Sequence, residues 1–301
     1  MHNRESLLRE MAHRTGMLPA QLELISRTAP LRYKVFTIPK RDGTPRLVAQ
    51  PAREVKALQR YLVGVLTPLL PIHRAATAYR DGLSIKDNAK RHHDGKFLLK
   101  MDLKDFFPSI EARDIFRHLS IHARGYGDES ALKLITVLFT WAPERRPPLR
   151  LCIGAPSSPL ISNSILHDFD SRLMQACIDR SVTYTRYADD LIFSSKHRNH
   201  LTDLPATVED LLNNIEYPRL QINRKKTVRA GSGDLHLITG VVVTPEGALS
   251  AGRERKRLAR SMFYRFQNNL LTQSEEERMW GLLAFIDHIE PGFSAKLRQK
   301  Q

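Results

Sequence analysis

Residues 181–195 read SVTYTRYADDLIFSS, two short β-rich runs on either side of Tyr187, Ala188, Asp189 and Asp190. Strand-forming residues flanking so short a connection predict a tight hairpin with two adjacent carboxylates at its tip. Carboxylate oxygens are hard donors of the kind that bind Mg²⁺. A lone pair of acids is ordinary solvated charge, so the neighbouring sequence decides the reading. The apolar run FLLKMDL, residues 97–103, carries a third acid, Asp102. A hairpin packed beside that strand brings three carboxylates to one point, enough for two divalent ions. Such a pair, roughly 4 Å apart, holds both the attacking and the leaving oxygen of a phosphoryl transfer.

Composition agrees with a polyanionic substrate. The chain of 301 residues has 47 Lys and Arg against 32 Asp and Glu, a net charge of +15, with a pI near 10.0. A field of that sign attracts phosphate backbones and makes binding fall with salt. An apolar fraction of 42% supplies a core, and the length suggests two or three subdomains. No apolar run reaches the roughly 18 residues that a membrane span needs. The first residues, MHNRESLLRE, lack an apolar signal core, so a cytoplasmic protein without membrane contact is expected. Two cysteines, Cys152 and Cys177, form neither a disulfide framework nor a metal cluster.

Along the chain, two short amphipathic helices precede a hairpin signal at 33–49, with its turn at Asp42-Gly43 and cations at Lys40, Arg41 and Arg46. A helix from Glu54 follows, with Val55, Leu58, Leu62, Leu66 and Leu69 at helical spacing. The strand at 97–103 leads into Asp105-Phe106-Phe107-Pro108, where proline ends the extended run. Helices are expected at 112–120 and 129–141, then one long helix at 158–179. Beyond Gly247 the chain turns helical and basic, and Ser274 with Glu277 suggests a capping box for a last helix. The alternation of strand and helix predicts an α+β sheet domain with a small helical C-terminal part.

Five stretches now combine. KMDLKDFFPSI (100–110), GAPSSP (154–159), RYADD (186–190), LQINRKKT (220–227) and ITG (238–240) stand in the order of the motifs of a reverse transcriptase. Over about residues 31–260 the chain resembles that family, and NAKRH (88–92) fits the NAxxH signature of its bacterial retron branch. ITG differs from the retron VTG at one position. The resemblance implies a right-hand polymerase fold: fingers at 1–97, a palm at 98–243 with 113–150 returning to the fingers, and a helical thumb at 244–301. It implies Asp102, Asp189 and Asp190 as holders of two Mg²⁺, with Leu103 lining the triphosphate.

The same resemblance makes Phe107 the ring that excludes a ribose 2′-OH. It sets Lys40 and Arg46 on the nucleotide phosphates, Gly154, Ala155 and Pro156 beneath the base and template, and Lys226, beside Asn223, near the leaving pyrophosphate. The family often has Gln where this chain has Ile153. Asn88 and His92, four residues apart, are expected to face structured RNA. Arg253, Arg255, Lys256 and Arg257 are expected on an RNA duplex or stem. Implied partners are dNTPs, a cognate structured non-coding RNA, its RNA-linked single-stranded DNA product (msDNA), and an effector or toxin protein in antiphage defence. Two alternatives stay open: a group II intron-like or diversity-generating reverse transcriptase, and an idle RNA-binding scaffold of a toxin–antitoxin pair.

Overall fold

A computed structural model describes residues 1–40 and 43–299. Arg41 and Asp42, expected in the first hairpin turn, lie outside the described residues. The chain order is α1 (Arg4–Thr15), α2 (Pro19–Thr28), β1 (Tyr33–Pro39), β2 (Pro45–Pro51), α3 (Arg53–Leu66), α4 (Ile85–Lys90), β3 (Phe97–Asp102), α5 (Ala112–His122), α6 (Glu129–Phe139), α7 (Ser158–Ile165) and α8 (His167–Ile178). Then come β4 (Thr183–Tyr187), β5 (Asp190–Ser195), α9 (Leu204–Asn214), β6 (Val228–Ala230), β7 (His236–Ile238), β8 (Val241–Val243), β9 (Leu249–Ser250), α10 (Arg253–Gln267), α11 (Gln273–Ile289) and α12 (Phe293–Gln299). Helices with purely antiparallel sheets agree with the expected α+β class.

Contacts divide the chain into two units. The first contains Met1–Tyr79, Leu103–Met174 and Ala206–Asn223. Here α1 packs on α2, α3 and α6. The spacing of apolar residues in α3 buries Val55, Leu58, Leu62 and Leu66. Leu69, expected on the same stripe, is 41% exposed. The helix stops at Leu66: Thr67 caps it with its N–H on the Val63 carbonyl, and Pro68 has no N–H with which to extend the ladder. The expected long helix at 158–179 is two helices, broken at Leu166, whose φ/ψ of −90°/7° leaves the helical range. Leu166 is fully buried, and neither Gly nor Pro marks the break in the sequence.

The second unit contains Arg80–Asp102, Gln175–Pro205 and Arg224–Gln301. One sheet runs β4-β5-β3-β6 and a smaller one β7-β8-β9. α10 packs on α11, and α4 packs on β7, β8 and β9. Leu98 and Ile192 of the larger sheet share one apolar cluster with Ile238, Val241 and Val243 of the smaller and with Ala259, Met262, Leu283 and Ile286 of the two helices. Each fully buried aliphatic side chain there stabilises by about 1.5–3 kcal/mol, so sheet and helices form one packed body. No helix among the described residues is long and apolar enough to cross a membrane.

Candidate active site

Pairing of Tyr187 with Asp190 leaves Ala188 and Asp189 as a two-residue loop between β4 and β5. Ala188 carries φ +56°, a conformation that costs a residue with a Cβ about 1 kcal/mol. Arg186, fully buried, donates from Nη1 to the Ala188 carbonyl at 3.2 Å and holds the loop. On the other side, β3 pairs with β5 so that Asp102 stands opposite Asp190. The β3 and β5 strands thus deliver the expected trio of acids to one sheet end.

Two lysines answer that charge. Lys100 Nζ lies 2.8 Å from Asp190 Oδ2, and Lys226 Nζ donates to Asp102 Oδ2 at 2.9 Å. Burial, followed by the neighbouring Asp190 and Asp102 charges, pushes the Asp189 carboxyl up to about 6. Burial also raises Asp190, against the pull of Lys100. Among the described residues no ion pair engages Asp189, and the pull of Lys226 does not overcome burial and the two acid neighbours. The carboxyl therefore resists ionisation, which is the state that a bound divalent ion relieves. Among the described residues no His, Cys, Asp and Glu trio already stands in ligating geometry. The oxygen donor set nevertheless fits a divalent ion, provided the flexible lysine stems release their carboxylates. Asp102, Asp189 and Asp190 would hold it.

The remaining expected site residues fall in two groups. In the first unit, Leu103 is buried and bridges Ile222. Phe107 is half-buried with its ring 5.2 Å from that of buried Phe106. Lys40 and Arg46 are exposed at the end of the β1–β2 hairpin. Gly154 has φ +117°, and a Cβ there would lie 2.9 Å from the Ala49 carbonyl oxygen. Only glycine lets the 154–156 turn press on β2 this closely. Ala155 is buried beside it and Pro156 half-buried.

In the second unit two expectations need correction. Asn88 and His92 are both fully buried, so neither side chain faces RNA. His92 bonds through Nδ1 to Ser194 Oγ at 2.8 Å and through Nε2 to Thr185 Oγ1 at 2.7 Å. Asn88 Nδ2 approaches Thr239 Oγ1 at 3.4 Å. Two residues of the basic run are likewise engaged inside the protein. Arg255 donates to the Gly240 carbonyl at 2.6 Å and lies over the Phe285 ring, while Lys256 pairs with Glu290 at 3.0 Å. Arg253 and Arg257 are exposed, joined on that surface by Arg260, Leu258 and Tyr264.

Buried histidines carry a pH consequence. Burial lowers His92 to about 3, and burial, then His122 and His167, lowers His118 to about 3. An unfolded chain takes up these protons below about pH 6.5 while the folded one does not, so this contribution is whole above that pH and lost as pH falls toward 3. The raised Asp189 acts in the opposite sense. We therefore expect the urea midpoint of wild type to fall from pH 7 to pH 5 by more than that of His118→Gln, a difference that isolates the histidine. Parallel curves would remove His118 from the account.

Sequence reasoning missed Lys100, Thr185, Arg186 and Ser194. Lys100 had a signal: two residues before Asp102 in a strand, it shares that face. The others are recognisable only through partners far along the chain.

A family described as "Reverse transcriptase (RNA-dependent DNA polymerase)" matches residues 38–241. The retron Ec83 reverse transcriptase of Escherichia coli is 38% identical over 270 residues, covering 89% of this chain and 86% of that one. The retron Mx65 reverse transcriptase of Myxococcus xanthus is 34% identical, covering 89% of this chain and 64% of its own. Among solved structures, telomerase from Candida albicans in complex with a fragment of telomeric RNA aligns with TM-score 0.51 at 12% identity, over 89% of this chain and 56% of that one. That last likeness concerns the polymerase fold alone. The matched segment contains all three acids of the β3–β5 sheet end, and the chain belongs to the retron reverse transcriptases, RNA-directed DNA polymerases.

Proposed function

We propose that this chain copies a cognate structured non-coding RNA into single-stranded DNA that stays joined to that RNA, using two Mg²⁺ ions held by Asp102, Asp189 and Asp190. The pairing of Asp102 with Asp190, with Asp189 uncompensated at the hairpin tip, carries the reading. When bound, the ions supply charge to the attacking 3′-oxygen and the departing pyrophosphate. The chain's own residues bind and orient. The Arg186-held loop fixes where Asp189 sits. Lys226 and Lys100, which pair with Asp102 and Asp190 here, would be left as cations for phosphate oxygens where a metal ion took their place. Lys40, Arg46, Gly154, Ala155 and Pro156 serve the incoming nucleotide and template, and the exposed Arg253 and Arg257 serve RNA phosphates. The reading extends to antiphage defence with an effector protein, which kinship with the retron enzymes supports.

The test is the nucleic acid that copurifies. A defined RNA covalently joined to short DNA supports this reading, while RNA alone favours the scaffold and overturns it. Sugar choice provides a second measurement. Phe107 is braced by Phe106, so Phe107→Val removes a fixed obstacle to the 2′-OH and is expected to admit ribonucleotides with dNTP synthesis retained. Unchanged rNTP discrimination in an active variant would remove Phe107 from that role.

A further inference from the structure

The turn that follows α4 touches more of the second unit than its length suggests. His92 lies against one face of the β4–β5 hairpin and bonds to both strands, Thr185 on β4 and Ser194 on β5. Thr183 is the register partner of Ser194, and Ile192 that of Thr185. Thr185 and Ser194 are thus diagonal neighbours on one face, and the imidazole bridges them across the ladder. By the two-residue period of the strands, Ile192 and Asp190 continue that face toward the tip, with Lys100 and Asp102 opposite them on β3. Thr185 therefore stands two pairing steps, and Ser194 four, from the Tyr187–Asp190 closing pair.

Three more contacts fix the turn itself. A Cβ on Gly95 would lie 2.5 Å from Ser194 Cβ, so the backbone there rests directly on β5. A Cβ on Gly247, at φ +82°, would lie 2.8 Å from the His93 carbonyl oxygen, so the β8–β9 turn rests on the same segment. Asn88 reaches Thr239, next to Gly240, whose carbonyl accepts from Arg255 of α10. A single short segment is thereby bonded to the catalytic hairpin on one side and, on the other, to the β7–β8 turn on which Arg255 of α10 is fixed.

We propose that His92 is a positioning residue for polymerisation: it locks the register and twist of the β4–β5 hairpin, so that Asp189 and Asp190 are held in place relative to Asp102, and Asn88 anchors it to the base of the C-terminal helices. This rests on the polymerase reading of the three acids. A neutral imidazole suits the task, because one ring nitrogen donates and the other accepts, and a hydroxyl on each strand answers either role. Hydroxyl and imidazole are all buried, so losing one partner leaves the other unsatisfied and loosens the hairpin locally.

The test uses the full chain with His92→Ala, Thr185→Val, Thr185→Ser and Gly95→Ala. Hydrogen exchange on metal-free protein should show faster exchange over 184–194 in His92→Ala, Thr185→Val and Gly95→Ala, with α11 unchanged. Primer extension on a generic primed RNA should lose kcat by on the order of a hundredfold, the effect of displacing reacting groups by about an ångström. The dNTP KM should stay within about twofold, as for an interaction that orients and does not bind substrate. Free Mn²⁺, counted by its electron paramagnetic resonance signal, should show weaker binding in the same variants. Thr185→Ser keeps the hydroxyl and should behave as wild type. Wild-type exchange and kcat in His92→Ala would overturn the proposal, as would faster exchange spread evenly through α10 and α11, or a Thr185→Ser variant as impaired as Thr185→Val. Because exchange is read without metal or substrate, a failure of positioning is distinguishable from a failure of the polymerase reading, which Asp189→Asn tests by itself.

Discussion

Asp189→Asn is expected to lose DNA synthesis by on the order of a hundred- to a thousandfold, the scale seen when a group that stabilises transition-state charge is removed, while the protein melts no lower than wild type. The two halves of that expectation have one cause. Asp189 sits partly buried beside Asp190 and Asp102, and its carboxyl is pushed up to about 6. In the metal-free protein the charged form is a burden on the fold, and an amide of the same size removes it without touching the Tyr187–Asp190 pair or the Arg186 contact that shapes the loop. Activity is lost because an amide contributes no anionic oxygen for a divalent ion. Asp102→Ala should be as inactive, but it also strips Lys226 of its partner, so its melting point is the less informative one. The measurement is Mg²⁺-dependent extension of a primed RNA template beside a thermal melt. Substantial synthesis by Asp189→Asn would sink the metal assignment, and a lower melting point with activity intact would make Asp189 a structural acid.

The Asp189–Asp190 hairpin was legible in the sequence because it depends on local rules, whereas its meeting with Asp102 is a pairing across the chain that the order of the reverse-transcriptase motifs implied. Strand-forming flanks set the 181–195 hairpin, and the strand period puts Lys100 and Asp102 on one face. What the sequence did not disclose depends on long-range contact. The string NAKRH is visible as a motif, yet whether His92 faces solvent or the interior is decided by Ser194 and Thr185, far along the chain. A histidine among cations reads as exposed until those hydroxyls are known. The helix break at Leu166 left no Gly or Pro to find. In α10, by contrast, the signal was present and passed over. Arg255 precedes buried Ala259 by four residues and Lys256 precedes it by three, so the helical period directs both toward the inner face, although the linear run of charge reads as one surface.

That division within α10 sets the second large expectation. Replacing the exposed Arg253, Arg257 and Arg260 with Ala is expected to weaken binding of structured RNA, and the slope of log affinity against log salt should become shallower by roughly two units, since each lost phosphate contact removes somewhat less than one released counterion. Arg253 and Arg257 lie on an open surface beside Leu258 and Tyr264, which are 43% and 66% exposed, and Arg260 stays exposed although its guanidinium lies over the Phe293 ring, an arrangement suited to shape and phosphate recognition with an aromatic face for stacking. Arg255→Ala with Lys256→Ala should do something different. Arg255 holds the Gly240 carbonyl and the Phe285 ring, and Lys256 holds Glu290, which also accepts from Ser250 and the Ala251 amide. Loss of the pair frees the base of α10, so the thermal midpoint should fall while the salt slope keeps its wild-type value. Filter binding across a salt series, with a melt on each variant, separates the two sets. If the Arg255 and Lys256 pair flattened the slope and the exposed arginines did not, the RNA surface would be the opposite face of α10, and the internal contacts that engage these two side chains would have to open when RNA binds.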